Sequence, residues 1–286
     1  MLRSLKCDLE KSIINGGFLG AFVITTILCF TTIVYTDPGS SKTYSVFQAI
    51  STLDKKTMMD DYFLSSAFVF GQALTGYITM FIPIISVFPF MITFCAERNS
   101  GLMRFTITRT GKTKYCFSKF FSCVISGGLS VLLGVVLFGI ISFGFFPSIS
   151  AYDLQPEDLE SIFPNGEFIY ILKIIISAFV YGAVSSLPAF FLSSFCKNPY
   201  VITCIPFMFI YIWNTAVTKI TSSMWASNKF DLADKISAFA PDSIVSAING
   251  GFDGTNKTAI IFYMIYTVVF LVGYILIMDC RKDKGV

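Results

Sequence analysis

The sequence predicts an all-α, polytopic membrane protein with six transmembrane helices. Of its 286 residues, 54% are hydrophobic and only 14% are charged, whereas about a quarter of the residues in a soluble domain are charged. The mean hydropathy is +0.71. The apolar residues are gathered into stretches of about 20, the length that crosses the hydrocarbon of a bilayer as a helix. We therefore treat residues 1–286 as one membrane domain.

Six apolar stretches qualify as spans, and the second is longer than one crossing requires. In chain order they run from about Gly16 to Val34, Tyr62 to Cys95, Phe120 to Phe143, Ile169 to Phe195, Tyr200 to Val217 and Ala259 to Met278. Prolines interrupt three of them: Pro83 and Pro89 in the second, Pro188 in the fourth and Pro206 in the fifth. Because proline removes a backbone donor, we expect kinks or broken turns at Pro83, Pro89 and Pro206.

An amphipathic helix is predicted ahead of the first span, over residues 1–15. Apolar residues recur there at helical spacing, with charged residues on the other side, at Leu2, Leu5, Leu9 and Ile13 against Arg3, Lys6, Asp8, Glu10 and Lys11. This pattern is typical of a helix that lies in the plane of the membrane interface. The alternative is a frayed, basic N-terminal tail.

The distribution of basic residues predicts the orientation. With the N-terminus inside, 13 of the 21 Lys and Arg residues fall in cytoplasmic segments, including Arg281, Lys282 and Lys284 at the C-terminus, and seven fall in two long outer loops. The loop between the third and fourth spans has no Lys or Arg, and its charged residues, among them Asp153 and Asp158, are all acidic. We therefore expect both termini in the cytoplasm of a multi-pass protein of the cell membrane.

The outer segment over residues 218–258 is predicted to contain two short helices. Leu232, Ile236 and Phe239 share one helical face, Pro241 suits the first turn of a second helix, and Ile244, Val245 and Ile248 share a face after it. Two short amphipathic helices joined at a proline would dip back toward the membrane. The segment is therefore expected to be re-entrant.

Several classes of function are disfavoured. The chain has no histidine and no Cys-x-x-Cys pair, so we predict neither catalytic residues nor a metal site in it. Gly111-Lys112-Thr113 matches the end of a phosphate-binding loop, but Thr106 stands where that loop needs glycine. The net charge of +3 indicates no nucleic-acid partner. The spans have no acidic residue, which disfavours ion-coupled carriers.

The connection between the second and third spans is the most informative segment. Residues Cys95–Thr110 read CAERNSGLMRFTITRT. This resembles the loop E-R-E-x-G-T-L-E-x-L-L-x-[ST]-P of type-2 ATP-binding-cassette exporter permeases. Glu97, Arg98 and Gly101 stand at matching positions; the apolar places are taken by Leu102, Phe105 and Ile107, and Lys119 precedes the third span as in that family. The loop departs from the pattern at Asn99, where the family has a second acid, and at Thr110, near the place of its proline.

The resemblance implies a permease subunit of an exporter. The N-terminal helix would be that family's elbow helix, and residues 96–119 would form a cytoplasmic coupling loop that docks into a separate ATPase. Its contact residues would be Glu97, Arg98, Gly101, Leu102, Arg104, Phe105 and Arg109. Leu102 and Phe105 would be the buried anchor, the three arginines a charged rim, and Glu97 would pair with a neighbouring base. ATP and magnesium would bind to the ATPase, present in two copies, beside a second copy of this chain or a related permease.

The substrate pathway is expected among the polar and proline residues of the spans, at Gln72, Pro83, Pro89, Pro206 and Asn214. Gln72 and Asn214 could instead hydrogen-bond a neighbouring helix. A hydrophobic or antimicrobial peptide or a lipid would suit so aromatic a chain. The alternatives are an ATP-independent secondary carrier or channel, and a membrane immunity or sensor subunit that transports nothing. For the coupling loop itself, the alternative is an ordinary basic cytoplasmic loop.

Overall fold

The apolar stretches of the sequence fold as long helices packed against one another. The computed structural model describes residues 2–37, 42–152, 155–250 and 254–280. Arg281, Lys282, Lys284 and Asp153, which contributed to the predicted orientation, lie outside these ranges. In the described chain the α-helices are α1 (Leu2–Ile13), α2 (Gly16–Cys29), α3 (Val46–Thr52), α4 (Lys55–Asp60), α5 (Ser66–Gly71), α6 (Tyr77–Ile85), α7 (Phe88–Asn99), α8 (Leu102–Thr110), α9 (Lys112–Phe145), α10 (Pro156–Ile162), α11 (Glu167–Ser185), α12 (Leu187–Leu192), α13 (Pro199–Ala226), α14 (Phe230–Ser237), α15 (Ser243–Asn249) and α16 (Gly254–Cys280).

The fold is nearly all-α, and the exception among the described residues is a small hairpin. Strands β1 (Ile33–Thr36) and β2 (Thr43–Ser45) pair antiparallel between α2 and α3. Ile33 lies opposite Ser45 and Thr36 opposite Thr43. These strands are not apparent from the sequence, because Ile33 and Val34 of β1 continue the apolar run of the predicted first span.

The described chain contains five segments long and apolar enough to cross a membrane as helices, namely Tyr77–Asn99, Lys112–Ala151, Glu167–Leu192, Pro199–Ala226 and Thr255–Met278. The first predicted span is different. Its helix α2 has 14 residues, about 21 Å, which is less than the roughly 30 Å of hydrocarbon. Together with α1, from which it is bent by 57°, it passes the same test. The protein is thus membrane-embedded through five spans, or six if the bent pair counts as one.

The helix packing has two distinct ends. At one end, which we call the α8 end, a buried cluster joins α7, α9, α12 and α16 through Phe94, Tyr115, Phe190 and Tyr274. At the other, which we call the hairpin end, Val46, Phe146, Ile244 and Tyr263 belong to a second cluster. The longer connections meet at the hairpin end: Tyr152, after α9, donates from its hydroxyl to the carbonyl of Met58 at 2.7 Å. The predicted coupling loop therefore lies at the opposite end from the hairpin and these longer connections.

Prolines mark two helix breaks, a predicted one at Pro89 and one at Pro188 that was not predicted. α6 ends at Ile85, and α7 begins at Phe88 with Pro89 in its first turn. Likewise α11 ends at Ser185, and Pro188 lies in the first turn of α12. Pro83 and Pro206 instead lie inside the continuous helices α6 and α13. Pro83, Pro89 and Pro206 are buried within the protein, so none of the three faces lipid.

α9 is the central helix, and it is lined with small residues. It has 34 residues, and a buried small residue recurs every fourth position at Ser118, Ser122, Ser126, Ser130 and Gly134. A Cβ at Gly134 would lie 2.5 Å from the Cβ of Thr25, and one at Gly128 would lie 2.8 Å from the carbonyl oxygen of Phe179. Small side chains thus let α2 and α11 approach the backbone of α9 closely.

Two predicted boundaries at the hairpin end need correction. Gln72, predicted inside the second span, lies in a 3-10 turn, Gln72–Leu74, before that span begins at Tyr77. The preceding apolar run folds as short helices, and Gly76, with a φ of +73°, separates them from the span. α13 continues to Ala226, nine residues beyond the predicted end of the fifth span, because no glycine or proline interrupts it there.

The predicted outer segment over residues 218–258 does contain two short helices, α14 and α15, with Pro241 between them. α15 packs against α11: Lys173 Nζ donates to the carbonyl of Asn249 at 3.3 Å, and Ser177 Oγ bonds Asn249 Oδ1 at 3.1 Å. These contacts place the end of α15 beside the second and third turns of α11, which is compatible with the predicted return toward the membrane.

Candidate functional site

α8 is a short helix set between α7 and α9 by two glycines. Gly101, at its N-terminus, has a φ of +74°, and Gly111, at its C-terminus, has a φ of +82°. These left-handed conformations cost other residues about 1–2 kcal/mol, but they are readily accessible to glycine. The predicted coupling loop, residues 96–119, is thus mostly helical: it holds the end of α7, all of α8 and the first eight residues of α9.

α8 has an inner and an outer face. Met103 and Ile107 pack against the buried cluster of the α8 end. On the outer face Leu102 is 51% exposed and Phe105 is 74% exposed. Arg104 and Arg109 are exposed as well. No residue of α8 is buried. The predicted anchor residues, Leu102 and Phe105, therefore stand free on the surface of the chain, with two of the three predicted rim arginines beside them.

Glu97, in the last turn of α7, is held by two lysines. Its carboxylate lies 2.5 Å from Lys119 Nζ and 2.9 Å from Lys11 Nζ. The predicted pairing of Glu97 with a base is confirmed, and it involves two bases, one from α9 and one from α1. Glu97 faces the protein and not the outer face of α8, so it lies behind the surface on which Leu102 and Phe105 are exposed.

Lys119 is a buried cation shared by two carboxylates. Besides Glu97 it contacts Asp8 of α1, at 2.8 Å, and Ser118 Oγ donates to the same carboxylate at 2.6 Å. The ammonium group also lies 5.6 Å from the centre of the Phe94 ring. Lys119 was predicted to precede the third span, but α9 starts at Lys112, so it lies two turns inside that helix. One ammonium group thus ties α1, α7 and α9 together.

Arg98 differs from the prediction. It was expected in the charged rim, but its guanidinium donates to carbonyls in the turn after α12, to Ser193, to Cys196 at 2.5 Å and to Ser194 at 3.0 Å. The carbonyls at the end of a helix have no partner within the helix, and an arginine fork can satisfy several of them. Arg98 therefore joins the end of α7 to the end of α12, and it is directed away from the outer face of α8.

The turn between α1 and α2 is fastened to the start of α7. Asn15 accepts from the backbone N–H of Phe18 at 2.8 Å, which caps α2, and its amide donates to the carbonyl of Pro89 at 2.6 Å. A Cβ at Gly17 would overlap the carbonyl oxygen of Phe88. The bend between α1 and α2 is thus set against the break between α6 and α7.

The five residues predicted for a substrate pathway do not form one site. Pro83 and Pro206 lie on neighbouring helices, α6 and α13, whose Phe81 and Phe207 rings stack at 6.2 Å between centroids. Asn214 is two turns farther along α13 and half-buried. Pro89 lies under the bend of α1 and α2, and Gln72 lies outside the spans, where its side chain accepts from Thr75. Their role in transport stays a prediction.

α1 has a polar face that was not predicted. Ser4, Asp8 and Ser12 face α9, where Ser118 bonds Ser4 at 3.2 Å and Ser122 bonds Ser12 at 3.1 Å. Asp8 was grouped with the charged residues of an exposed side. The signal that could have found it is spacing, because polar residues recur every fourth position on both helices and would meet along one line.

Within the described residues, no group of three or more His, Cys, Asp or Glu side chains could hold a metal ion. The sequence matches no protein-family model, and a search of curated proteins finds no relative.

Proposed function

We propose that this chain is the membrane-spanning permease subunit of an ATP-binding-cassette exporter, and that α8 docks into a separate ATPase. The observation that carries the proposal is the outer face of α8. This face presents two large apolar side chains to solvent on a helix that is fastened at both ends to long helices.

The exposed pair has the character of an interface anchor. Leu102 and Phe105 are three residues apart and so lie on one face of the helix. Large apolar residues at the centre of an interface, surrounded by polar ones, contribute most of the binding energy in protein complexes. Arg104 and Arg109 would supply the polar surroundings.

The way α8 is held suits a relay of motion. Gly101 and Gly111 connect it to α7 and α9 without an intervening flexible loop, and the network of Glu97, Lys119 and Asp8 joins those helices to α1. A short helix held in this way moves with its neighbours as a rigid body. Movement of a docked ATPase would then reach α9, the central helix, and through it the other spans.

The proposal also assigns sides and partners. The bias in Lys and Arg puts the α8 end and both termini in the cytoplasm of a cell-membrane protein. ATP and magnesium would bind to the ATPase, in two copies, against two permease chains. The cargo proposed for so aromatic a chain is a hydrophobic peptide or a lipid, because such a substrate is recognised by apolar and aromatic surfaces.

Substitution on the outer face tests the proposal. Phe105→Ala should release the ATPase, because loss of an aromatic anchor commonly costs about 2–4 kcal/mol of binding energy, while Arg109→Ala should have a mild effect. The measurements are co-purification of the ATPase with each variant and ATP hydrolysis of the complex in liposomes. The thermal stability of each chain in detergent serves as the control, since neither side chain is buried. If Phe105→Ala keeps the ATPase at the native level, or if no ATPase associates with the native chain, the carrier or channel alternative is favoured.

A further inference from the structure

α1 has three faces with different chemistry. At 3.6 residues per turn, successive residues are about 100° apart around the helix. Ser4, Asp8 and Ser12 then lie on one face, Leu5, Leu9 and Ile13 on the next, and Arg3, Cys7 and Glu10 on the third, with Lys6 at the border of the last two. The contacts with α9 show that the first of these faces is turned toward the protein.

The polar face of α1 is therefore the one that the protein covers. Asp8 and Ser12 are buried, and Asp8 is paired with Lys119. In a soluble protein an amphipathic helix would bury its apolar stripe and expose its polar residues. In α1 the polar face is covered, whereas Leu5, Leu9 and Ile13 of the apolar stripe are only half-buried.

The apolar stripe forms an open groove. This groove has a volume of about 450 Å³ and is lined by Leu5, Lys6, Leu9, Glu10, Ile13 and Ile14. Ile14, at the bend into α2, is 81% exposed. The bend of 57° sets α1 steeply across the direction of α2. A helix inclined in this way at the entry to a membrane can rest its apolar stripe on the boundary between headgroups and acyl chains.

Basic residues lie beside the stripe and around it. Arg3 and Lys6 are exposed on α1, and Arg104, Arg109, Lys114 and Lys197 are at the same end of the bundle. Lys and Arg side chains can lay their stems along apolar surface while the charged group reaches the headgroups. Of the acidic side chains of α1 and α7 at this end, Asp8 and Glu97 are paired with Lys119, and Glu10 lies 3.8 Å from Lys6 in an exposed pair, from which Lys6 can turn to a headgroup.

We propose that the stripe of α1, with Arg3 and Lys6, is a binding surface for anionic phospholipid. The acyl chains contact Leu5, Leu9 and Ile13, and the phosphate headgroups contact the two basic side chains. Because Lys119 and Asp8 hold α1 to α9, lipid bound here acts directly on the helices that carry α8. Binding of lipid requires no ATPase, so this inference stands apart from the proposed function.

The test places a fluorescent label on each side of α1. In a background without other cysteines, one variant keeps Cys7, on the third face, and another carries Leu9→Cys with Cys7 replaced by Ser. Each is reconstituted in nanodiscs of phosphatidylcholine with a minor fraction of phosphatidylglycerol, and either lipid is supplied with brominated chains.

We expect the label at position 9 to be quenched by brominated lipid and the label at Cys7 by aqueous iodide. Brominated phosphatidylglycerol should quench position 9 more than its bulk fraction predicts, by up to about fivefold for each basic side chain that reaches the headgroups.

The charged residues provide the controls. Arg3→Gln with Lys6→Gln should remove the preference for phosphatidylglycerol and leave the quenching by lipid chains. Lys114→Gln, which removes a basic residue of α9 at the same end, should leave the preference unchanged. Equal quenching by the two brominated lipids would overturn the proposal, as would access of iodide to position 9. Protection of position 9 only after the ATPase is added would also overturn it and would assign the stripe to a protein partner.

Discussion

Lys119 shows at the scale of one residue how this chain tolerates charge in an apolar bundle. Its ammonium group is buried between Asp8 and Glu97, and Lys11 adds a second positive charge on the other oxygen of Glu97. Two cations and two carboxylates balance, so no net charge is buried. Such a network contributes little to stability when complete, but it becomes costly when one member is missing.

Replacement of the shared cation should therefore be severe. Lys119→Met leaves two carboxylates close together without their common partner, and we expect the free energy of unfolding to fall by about 3–5 kcal/mol. The matched control is Lys6→Met, since Lys6 is paired with Glu10 at 3.8 Å on the exposed side of α1 and should lose less than about 1 kcal/mol. Thermal unfolding in detergent compares the two. Similar melting temperatures for both variants would show that the network does not hold α1 in place.

The partners of Lys119 were only partly predictable. Glu97 and Lys119 stand in recognisable positions of the loop pattern, and their pairing follows from opposite charges at nearby helix ends. Asp8 lies 111 residues before Lys119, and nothing local connects them. The sequence also leaves open which side of an amphipathic helix faces the protein. Only the packing of α1 on α9 decides that its polar side is the buried one.

Asp242 gives a pH-dependent prediction. It lies between α14 and α15, outside the spans, and burial raises the pKa of its carboxyl because the charged form loses hydration. The folded protein therefore binds a proton at this site more readily than the unfolded chain, whose carboxyl keeps a pKa near 3.8. Stability must then fall as the pH rises through the window above 3.8, and the loss persists at neutral pH.

Removal of this carboxylate should reverse the loss. We expect Asp242→Asn to unfold at a higher temperature than the native chain at neutral pH, and the difference should shrink as the pH is lowered toward 3.8. Melting temperatures in detergent between about pH 4 and pH 8 provide the measurement. Glu160→Gln, on the exposed surface of α10, is the control, and its melting temperature should differ little from that of the native chain. If the melting temperatures of the native and Asp242→Asn chains changed with pH in parallel, the folded protein would not perturb the pKa of the Asp242 carboxyl.

At the scale of the element, α9 organises the bundle through small residues. A side chain at Gly134 would meet Thr25 at 2.5 Å and the carbonyl oxygen of Phe22 at 3.0 Å, so α2 can pack here only against glycine. At Gly20 of α2 nothing lies within 4 Å of an added Cβ. The pattern Gly16-x-x-x-Gly20, which is visible in the sequence, is therefore not a packing site within this chain. The glycine that lets α2 approach α9 is Gly134, on α9.

Gly134 and Gly20 provide a matched pair of positions for substitution. Gly134→Val should separate α2 from α9 and lower the free energy of unfolding by about 1–3 kcal/mol, as overpacking commonly does. Gly20→Val should leave the stability of the isolated chain nearly unchanged. Both variants are compared by thermal unfolding in detergent. If Gly20→Val were the more damaging of the two, α2 would have to pack through its other face.

The element boundaries show what hydropathy can and cannot give. Among the six predicted spans, long apolar runs predicted the five long segments of the described chain, and proline predicted the break before Pro89, because hydrophobic length and a missing donor act locally. Hydropathy did not separate a spanning helix from shorter apolar pieces. The run from Tyr62 to Leu74 is as apolar as a span, yet Gly76 ends it in a turn. The run that begins at Gly16 leaves its helix at Cys29 and continues into a strand.

At the scale of the whole molecule, the two ends of the bundle divide the polar segments. α8 and the turn after α12 lie at one end, and the hairpin, α10 and α15 contribute to the other. The alternation of spans and connections could be predicted from the sequence. The site at the α8 end could be predicted only in part, since the exposure of Phe105 and the inward direction of Arg98 depend on how α7, α8 and α12 come together.

The proposed orientation can be checked directly in cells. In a background without other cysteines, Glu157→Cys, on α10, should react with an impermeant thiol reagent added outside. Lys114→Cys, near the start of α9, should react only after the membrane is made permeable. Both residues are exposed, so access depends on the side of the membrane and not on burial. Labelling of both positions from outside would contradict the two-ended arrangement. Labelling of position 114 from outside, with position 157 protected until the membrane is made permeable, would invert the assigned sides.

The central claim, that α8 docks into an ATPase, is tested most directly by crosslinking in living cells. A photoreactive phenylalanine analogue at position 105 should form an adduct with an ATP-binding-cassette ATPase, identified by mass spectrometry, because this ring is 74% exposed on the outer face. The same analogue at position 107, on the inner face, should react within the chain. An adduct at position 105 with lipid alone, or no adduct from a chain present at its normal level, would contradict the account.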